Sequence, residues 1–305
     1  MTEDWRVQFD ADVTFLNGGS LQARGFRLDL PGPDGTDQDL AQRFIRNLGL
    51  LMVETVRISN RTTFQEPHKG LSAADPGDAG GGEARLIELN HLIRNGMITY
   101  PGLPGPEVSA HLTREASHAV YAPGCEFHIG RINMVANTGT YLDTPFHRYG
   151  DDADLAGVSL ASLANLRGLV VRVVGSAQRA IPREAFLPFD LVGKAVLVHT
   201  GWDRHWGTGQ YGTGHPFLTA DAASWLVGQG AALVGIDSLN IDDTGDGARP
   251  VHSALLAAGI PVVEHLTGLD QLPVQGFRFH AAPPRVEGMG TFPVRAFAIV
   301  PGAAR

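Results

Sequence analysis

The stretch NTGTYLDTPFH, residues 137–147, sets an acid and a histidine four residues apart in a segment broken by Gly139 and Pro145. In a loop that curls back on itself, Asp143 and His147 converge on one point. A carboxylate oxygen and an imidazole nitrogen are ligand types for zinc or manganese. An aspartate in such a loop also serves simply as a turn cap, so the pair needs support from elsewhere in the chain.

Support comes from PVHSALLAAGIPVVEHL, residues 250–266. His252 falls in the first turn of a predicted helix, with Pro250 suited to its start and Gly259 to its end. Glu264 follows twelve residues later inside the apolar run IPVVEHL. A glutamate in the middle of an apolar strand is costly to bury unless it is paired, protonated or coordinated. The alternative is a strand edge with Glu264 facing solvent.

Outward from these two stretches, apolar and β-branched runs at 169–174, 195–200, 231–237, 260–266, 276–282 and 294–300 read as strands. TADAASWLVGQG reads as a helix capped by Thr219. Interleaved strands and helices give a mixed α/β layered domain. No P-loop or GxGxxG follows any strand. Ahead of this body, WRVQFDADVTF and SLQARGFRLDL alternate apolar and polar residues around the hairpin signal Asn17-Gly18-Gly19. Then Leu40, Phe44, Ile45, Leu48 and Leu51 share one helical face, and TVRISNRTTF alternates again. This leading β-β-α-β module, residues 1–70, reads as an accessory interaction or oligomerisation unit. The Gly-, Ala- and Asp-rich segment around LSAADPGDAGGGEA reads as a linker, 71–86, before a body at 87–305.

Twenty-four basic against thirty-two acidic residues give a net charge of −8, which argues against a nucleic-acid or anionic-membrane surface. A single cysteine, Cys125, fits a reducing compartment. The opening MTEDWRVQFD has no apolar core of a signal peptide, and no stretch approaches the length of a membrane span. A cytoplasmic location is expected. Ser159 and Ser162 show no nucleophile-elbow pattern. The loop GWDRHWGTGQYGTGHPF, 201–217, suggests either a cover over an aromatic substrate or a surface loop pinned by Trp202 and Trp206.

NTGTYLDTPFH resembles the HxGTHxDxPxH motif of the cyclase family, to which bacterial kynurenine formamidases and isatin hydrolases belong. IELNHLIRNGMITYPGLP (87–104), VHTGWDRHWG, VGIDSLNID and PVHSALLAAGIPVVEHL are similar to further motifs of that family, in the same order. The resemblance implies a swivelling β/β/α fold, a homodimer or other homo-oligomer, and hydrolysis of a small-molecule amide, lactam or ester at a zinc or manganese centre. It implies Asp143, His252 and Glu264 as metal ligands, His147 as the proton-transferring residue and Tyr100 beside the substrate; Asn137, as an amide donor, and Trp202, from its loop, are expected there by residue type. Two motif histidines are replaced, by Asn137 and Tyr141. Neutral asparagine is a poor zinc ligand, and tyrosine ligates well only as phenolate, whose ordinary pKa is about 10. Either one divalent ion remains on Asp143, His252 and Glu264 or no ion remains; the persistence of those three with His147 favours the former. Tyr141 and Asn137 could instead donate to an oxyanion. A metal-independent cyclase, dehydratase or lactone-acting enzyme using His147 and Tyr141, and a non-catalytic ligand-binding protein, stay open as alternatives.

Overall fold

The computed structural model describes residues 3–30, 32, 35–67, 84–176 and 178–302. The expected linker lies outside them as far as residue 83. Strands β1 (Glu3–Phe15) and β2 (Ser20–Leu30) form an antiparallel hairpin, and β3 (Val53–Pro67) pairs along the other side of β1. Gly18 turns the hairpin with φ of 78°, a conformation that glycine adopts without a Cβ clash. Period-2 alternation places Val7, Phe9, Ala11, Val13 and Phe15 on one buried face.

Helix α1 (Asp37–Leu48) covers that face with Leu40 and Phe44, and a capping box between Thr36 and Asp39 starts it. Gly49 in the left-handed region ends it. Leu51, expected on the apolar face of a longer helix, therefore falls past the end and is 45% exposed. The module rests on the body through the Leu50–Phe189 bridge and bonds from Leu51 N to Pro188 O and from Asp190 N to Gly49 O.

The body begins with β4 (Arg85–Glu88), the hairpin strands β5 (Glu107–Leu112) and β6 (Ile129–Asn133), and the helical turn α2 (Arg114–Ser117) between them. It continues through β7 (Tyr141–Asp143), β8 (Leu166–Arg172), β9 (Ala180–Ile181), β10 (Lys194–His199) and β11 (Phe217–Leu218). Helix α3 (Ala220–Gly228), β12 (Leu233–Ile236), helix α4 (Pro250–Ala257) and β13 (Val262–Glu264) follow. Strands β14 (Gln275–His280), β15 (Thr291–Pro293) and β16 (Phe297–Val300) complete it.

Among the described residues one mixed sheet runs β15-β7-β13-β12-β10-β8-β14-β16-β4, parallel from β13 to β8 and antiparallel outside. Strand β10 is buried along its whole length, which is why KAVLVH reads as an unbroken run rather than an alternation. One face packs Leu142, Leu197, Val263 and Phe279 together; the other packs Val196, Val198 and Val262 against Leu226 of α3 and Leu255 of α4. Thr219 caps α3 and Pro250 opens α4, as their sequence signals predict. No helix among the described residues is long and apolar enough to cross a membrane.

Candidate active site

Strand register assembles the site. Glu264 of β13 lies directly opposite Tyr141 of β7, and Thr291 of β15 directly opposite Asp143. Side chains two apart on a strand share a face, so Tyr141 and Asp143 both join Glu264 and Thr291, while Leu142 turns into the core. Opposed pairs become hydrogen bonds: the Tyr141 hydroxyl donates to Glu264 Oε2 at 2.7 Å, and the Thr291 hydroxyl donates to Asp143 Oδ1. Glu264 is 1% exposed, not at a solvent-facing edge. The amide of Ile241 donates to its Oε1 at 2.7 Å and Asn240 Nδ2 to its Oε2 at 3.3 Å.

Helix α4 brings His252 to the same point. Its Nε2 stands 3.6 Å from both Asp143 Oδ2 and Glu264 Oε1. Asp242 sets the imidazole: Oδ2 accepts from His252 Nδ1 at 2.7 Å and from the His252 amide at 3.0 Å, while Oδ1 accepts from the Val251 amide. One carboxylate thus caps the helix, whose own cap position Arg249 offers no side-chain bond, and orients the ring so that Nε2 faces Asp143 and Glu264.

Asp143, His252 and Glu264 offer one ligand atom each within 4.8 Å of one another, all buried. Asp143 Oδ2 makes no hydrogen bond within 3.5 Å and is met only by His252 Nε2 at 3.6 Å, a loosely satisfied state for a buried carboxylate oxygen. An acid–imidazole–acid set with one bare oxygen fits a zinc- or manganese-type ion. Electrostatics agree. Burial acts to lower the His252 pKa, but Glu264, Asp143 and Asp242 outweigh it and push it up to about 10. Burial raises the Glu264 carboxyl to about 7. Without a cation the cluster holds a proton on His252 in the place where a metal would sit, so ion binding releases that proton.

Tyr141 is not arranged as a ligand. Burial first, then the charges of Glu264 and Asp143, raise its pKa well above the ordinary 10. The phenol keeps its proton and donates it to Glu264 in this arrangement, while its ring lines the cavity. Behind it, Tyr211 hydroxyl and His265 Nδ1 are 2.8 Å apart, and His265 Nε2 and Tyr141 Oη 3.2 Å apart. Burial lowers the His265 pKa to about 3. The neutral ring therefore donates from Nε2 to Tyr141 and accepts from Tyr211, which closes a directed chain ending on Glu264.

His147 Nδ1 lies 2.7 Å from Thr291 Oγ1. The threonine proton points at Asp143, so His147 must donate from Nδ1, and in the neutral ring Nε2 is then the acceptor. A cavity of about 330 Å³ opens over the cluster and is lined by Tyr100, Leu103, Asn137, Tyr141, His147, Arg148, Asn240, Arg249, His252 and Glu264. Of the residues expected beside the substrate, Tyr100 and Asn137 line it and Trp202 does not. The Trp202 indole donates to Tyr211 O at 3.0 Å, and loop 201–217 backs the site through buried Tyr211 rather than covering it. Thr291, Asp242, Asn240 and the two arginines were not singled out by sequence.

An acid–imidazole–acid cluster that could hold a metal ion lies at one end of a mixed α/β sheet, beside His147. The Cyclase family model matches residues 87–243, more than half of the chain, and the chain belongs to that family. Kynurenine formamidase of Bacillus cytotoxicus is 26% identical over 212 residues, covering 69% of this chain and 95% of that protein. An isatin hydrolase bound to the product analogue thioisatinate superposes with a TM-score of 0.62 at 18% identity, over 72% of this chain and 93% of that one. A structure described as a potential metal-dependent hydrolase with cyclase activity gives 0.59 at 23% identity, over 71% and 98%.

Proposed function

We propose that this chain hydrolyses a carbon–nitrogen bond other than a peptide bond in a small molecule, with one divalent ion held by Asp143, His252 and Glu264. The bare Asp143 Oδ2 beside His252 Nε2 and Glu264 carries the reading. The names of the similar proteins point to aryl formamides and lactams as the substrate class. When bound, the ion polarises a carbonyl and brings the pKa of water towards neutrality.

The chain's own residues do the rest. Asp242 locks the His252 ring, and Ile241 N, Asn240 and Tyr141 hold the Glu264 carboxylate. Each carboxylate oxygen has two lone pairs, so these bonds still leave Glu264 able to ligate. His147 Nε2 takes the proton from the attacking water and returns it to the departing nitrogen. Tyr100 and Leu103 wall the cavity, which is at the small end for a ligand site.

The test sets an aryl formamide, a lactam and an aryl ester before protein loaded with zinc or manganese and before chelated protein. Hydrolysis lost on chelation and restored by the ion is expected for at least one class. No turnover of any by loaded protein overturns the hydrolase; turnover indifferent to chelation overturns the metal.

Close backbone approach gives a second expectation. A Cβ on Gly290 would stand 2.3 Å from the His147 amide nitrogen and 2.5 Å from its Cα. Gly290→Ala therefore forces the His147 backbone away, and a shift of about 1 Å is expected to lower kcat roughly 10²-fold. Bound metal should stay at the wild-type level. Wild-type kcat in this variant would show that His147 tolerates displacement.

A further inference from the structure

We propose that Arg148 and Arg249 form a carboxylate-binding lip on this cavity, so that the preferred substrate is an amide or lactam carrying a carboxylate. The inference rests on the hydrolase reading for the reaction, but not for the binding. Both arginines line the cavity. Arg148 directly follows His147, and Arg249 opens the helix that carries His252. Ser253, one turn into that helix, accepts from Arg148 Nε at 3.4 Å, which brings Arg148 to the helix that Arg249 opens. The two side chains thus reach the same cavity from different elements, Arg148 from the turn after His147 and Arg249 from the helix start.

Neither guanidinium has a carboxylate partner within 4 Å among the described residues. Arg249 Nη1 donates only to the backbone oxygen of Asp243 at 3.1 Å, and the Asp243 carboxylate lies beside Arg179 at 3.7 Å. Arg148 lies over the Tyr149 ring at 5.5 Å. At the cavity floor the carboxylates face His252; at the lip each guanidinium has only neutral partners. A planar guanidinium presents a donor fork that matches a carboxylate.

Backbone strain supports the same conclusion. Arg249 sits at φ 48° and ψ 58°, a left-handed conformation that glycine or asparagine takes more easily. That strained position fixes where the Arg249 side chain leaves the backbone, at the start of the helix that carries His252.

The experiment measures binding by calorimetry to zinc-loaded wild type, Arg148→Gln, Arg249→Gln and the double variant. The probes are N-formylanthranilate and formanilide, which differ by one carboxylate. Wild type is expected to favour the carboxylate probe at least about tenfold, the scale of charge-assisted hydrogen bonds. Each single variant should shrink that ratio and the double variant bring it near one. Melting curves establish that the variants are folded. Equal affinities in wild type, or no binding of the carboxylate probe at millimolar concentration, overturn the proposal. A ratio that survives in the double variant also overturns it, by placing the carboxylate on the ion. Arginine-dependent binding without turnover of either probe would keep this proposal and sink the hydrolase; turnover of both without discrimination would do the reverse.

Discussion

Protein purified without chelators or a histidine tag is expected to carry one divalent ion per chain by elemental analysis, and Asp143→Ala and Glu264→Ala none. Three carboxylates, of Asp143, Asp242 and Glu264, surround one imidazole at the buried floor of the cavity. A cation there is favoured far more than at the surface, because unlike charges attract strongly where the effective dielectric is low. Removing Asp143 removes the one bare oxygen; removing Glu264 also leaves the Tyr141 hydroxyl and Ile241 amide without their acceptor. The ion should raise the wild-type melting temperature, since a ligand at a thousand times its Kd stabilises by about 4 kcal/mol. That increment should vanish in both variants. Two ions per chain would contradict the arrangement, because Asn137 and Tyr141 stand where the motif has histidines and Tyr141 keeps its proton. No ion after incubation with zinc and manganese would remove the metal from the proposal altogether.

What the sequence disclosed, and what it hid, follows from the range of the interactions. Thr219 and Pro250 announce their helices because capping is settled within one turn. Glu264 stood out because an acid inside IPVVEHL violates the local pattern, and the violation marks the site. Helix α1 ran long in the sequence reading because Leu51 continues the apolar period, whereas Gly49 reverses the backbone first. Thr291 and Asp242 gave no such signal. A threonine in TFP is an ordinary strand residue until β15 pairs with β7 and sets it opposite Asp143. Asp242 acts across ten residues through the approach of a loop to a helix end; the acid run just ahead of a Pro-opened helix was the one clue to it. Tyr141 was read by type as a donor towards substrate, but its target depends on facing Glu264 across two strands. Residue types mark the chemistry available, and register decides where each proton goes.

His147→Ala is expected to lower kcat by roughly 10²–10⁴-fold, the ordinary contribution of a positioned acid–base group, with bound metal and melting temperature near wild type. The split follows from where the ring sits. His147 is 37% exposed at the cavity, so its loss opens no core void. Its Nδ1 is 3.6 Å from Asp143 Oδ1, with the Thr291 hydroxyl bridging the two; the ring therefore acts beside the ligand and not as one. Thr291→Val keeps the shape but strips the bridge, leaving His147 free to turn and Asp143 Oδ1 without its donor. A smaller loss of about tenfold is expected, in keeping with the removal of a group that only orients a catalytic ring. Added imidazole should recover part of the activity of His147→Ala, because the missing function is a proton carrier and the cavity left behind admits one. If His147→Ala loses metal along with activity, the histidine holds the ion and the proton carrier must be sought elsewhere in the cavity. If kcat is unchanged, proton transfer does not limit turnover through this ring, and the role assigned to its Nε2 fails.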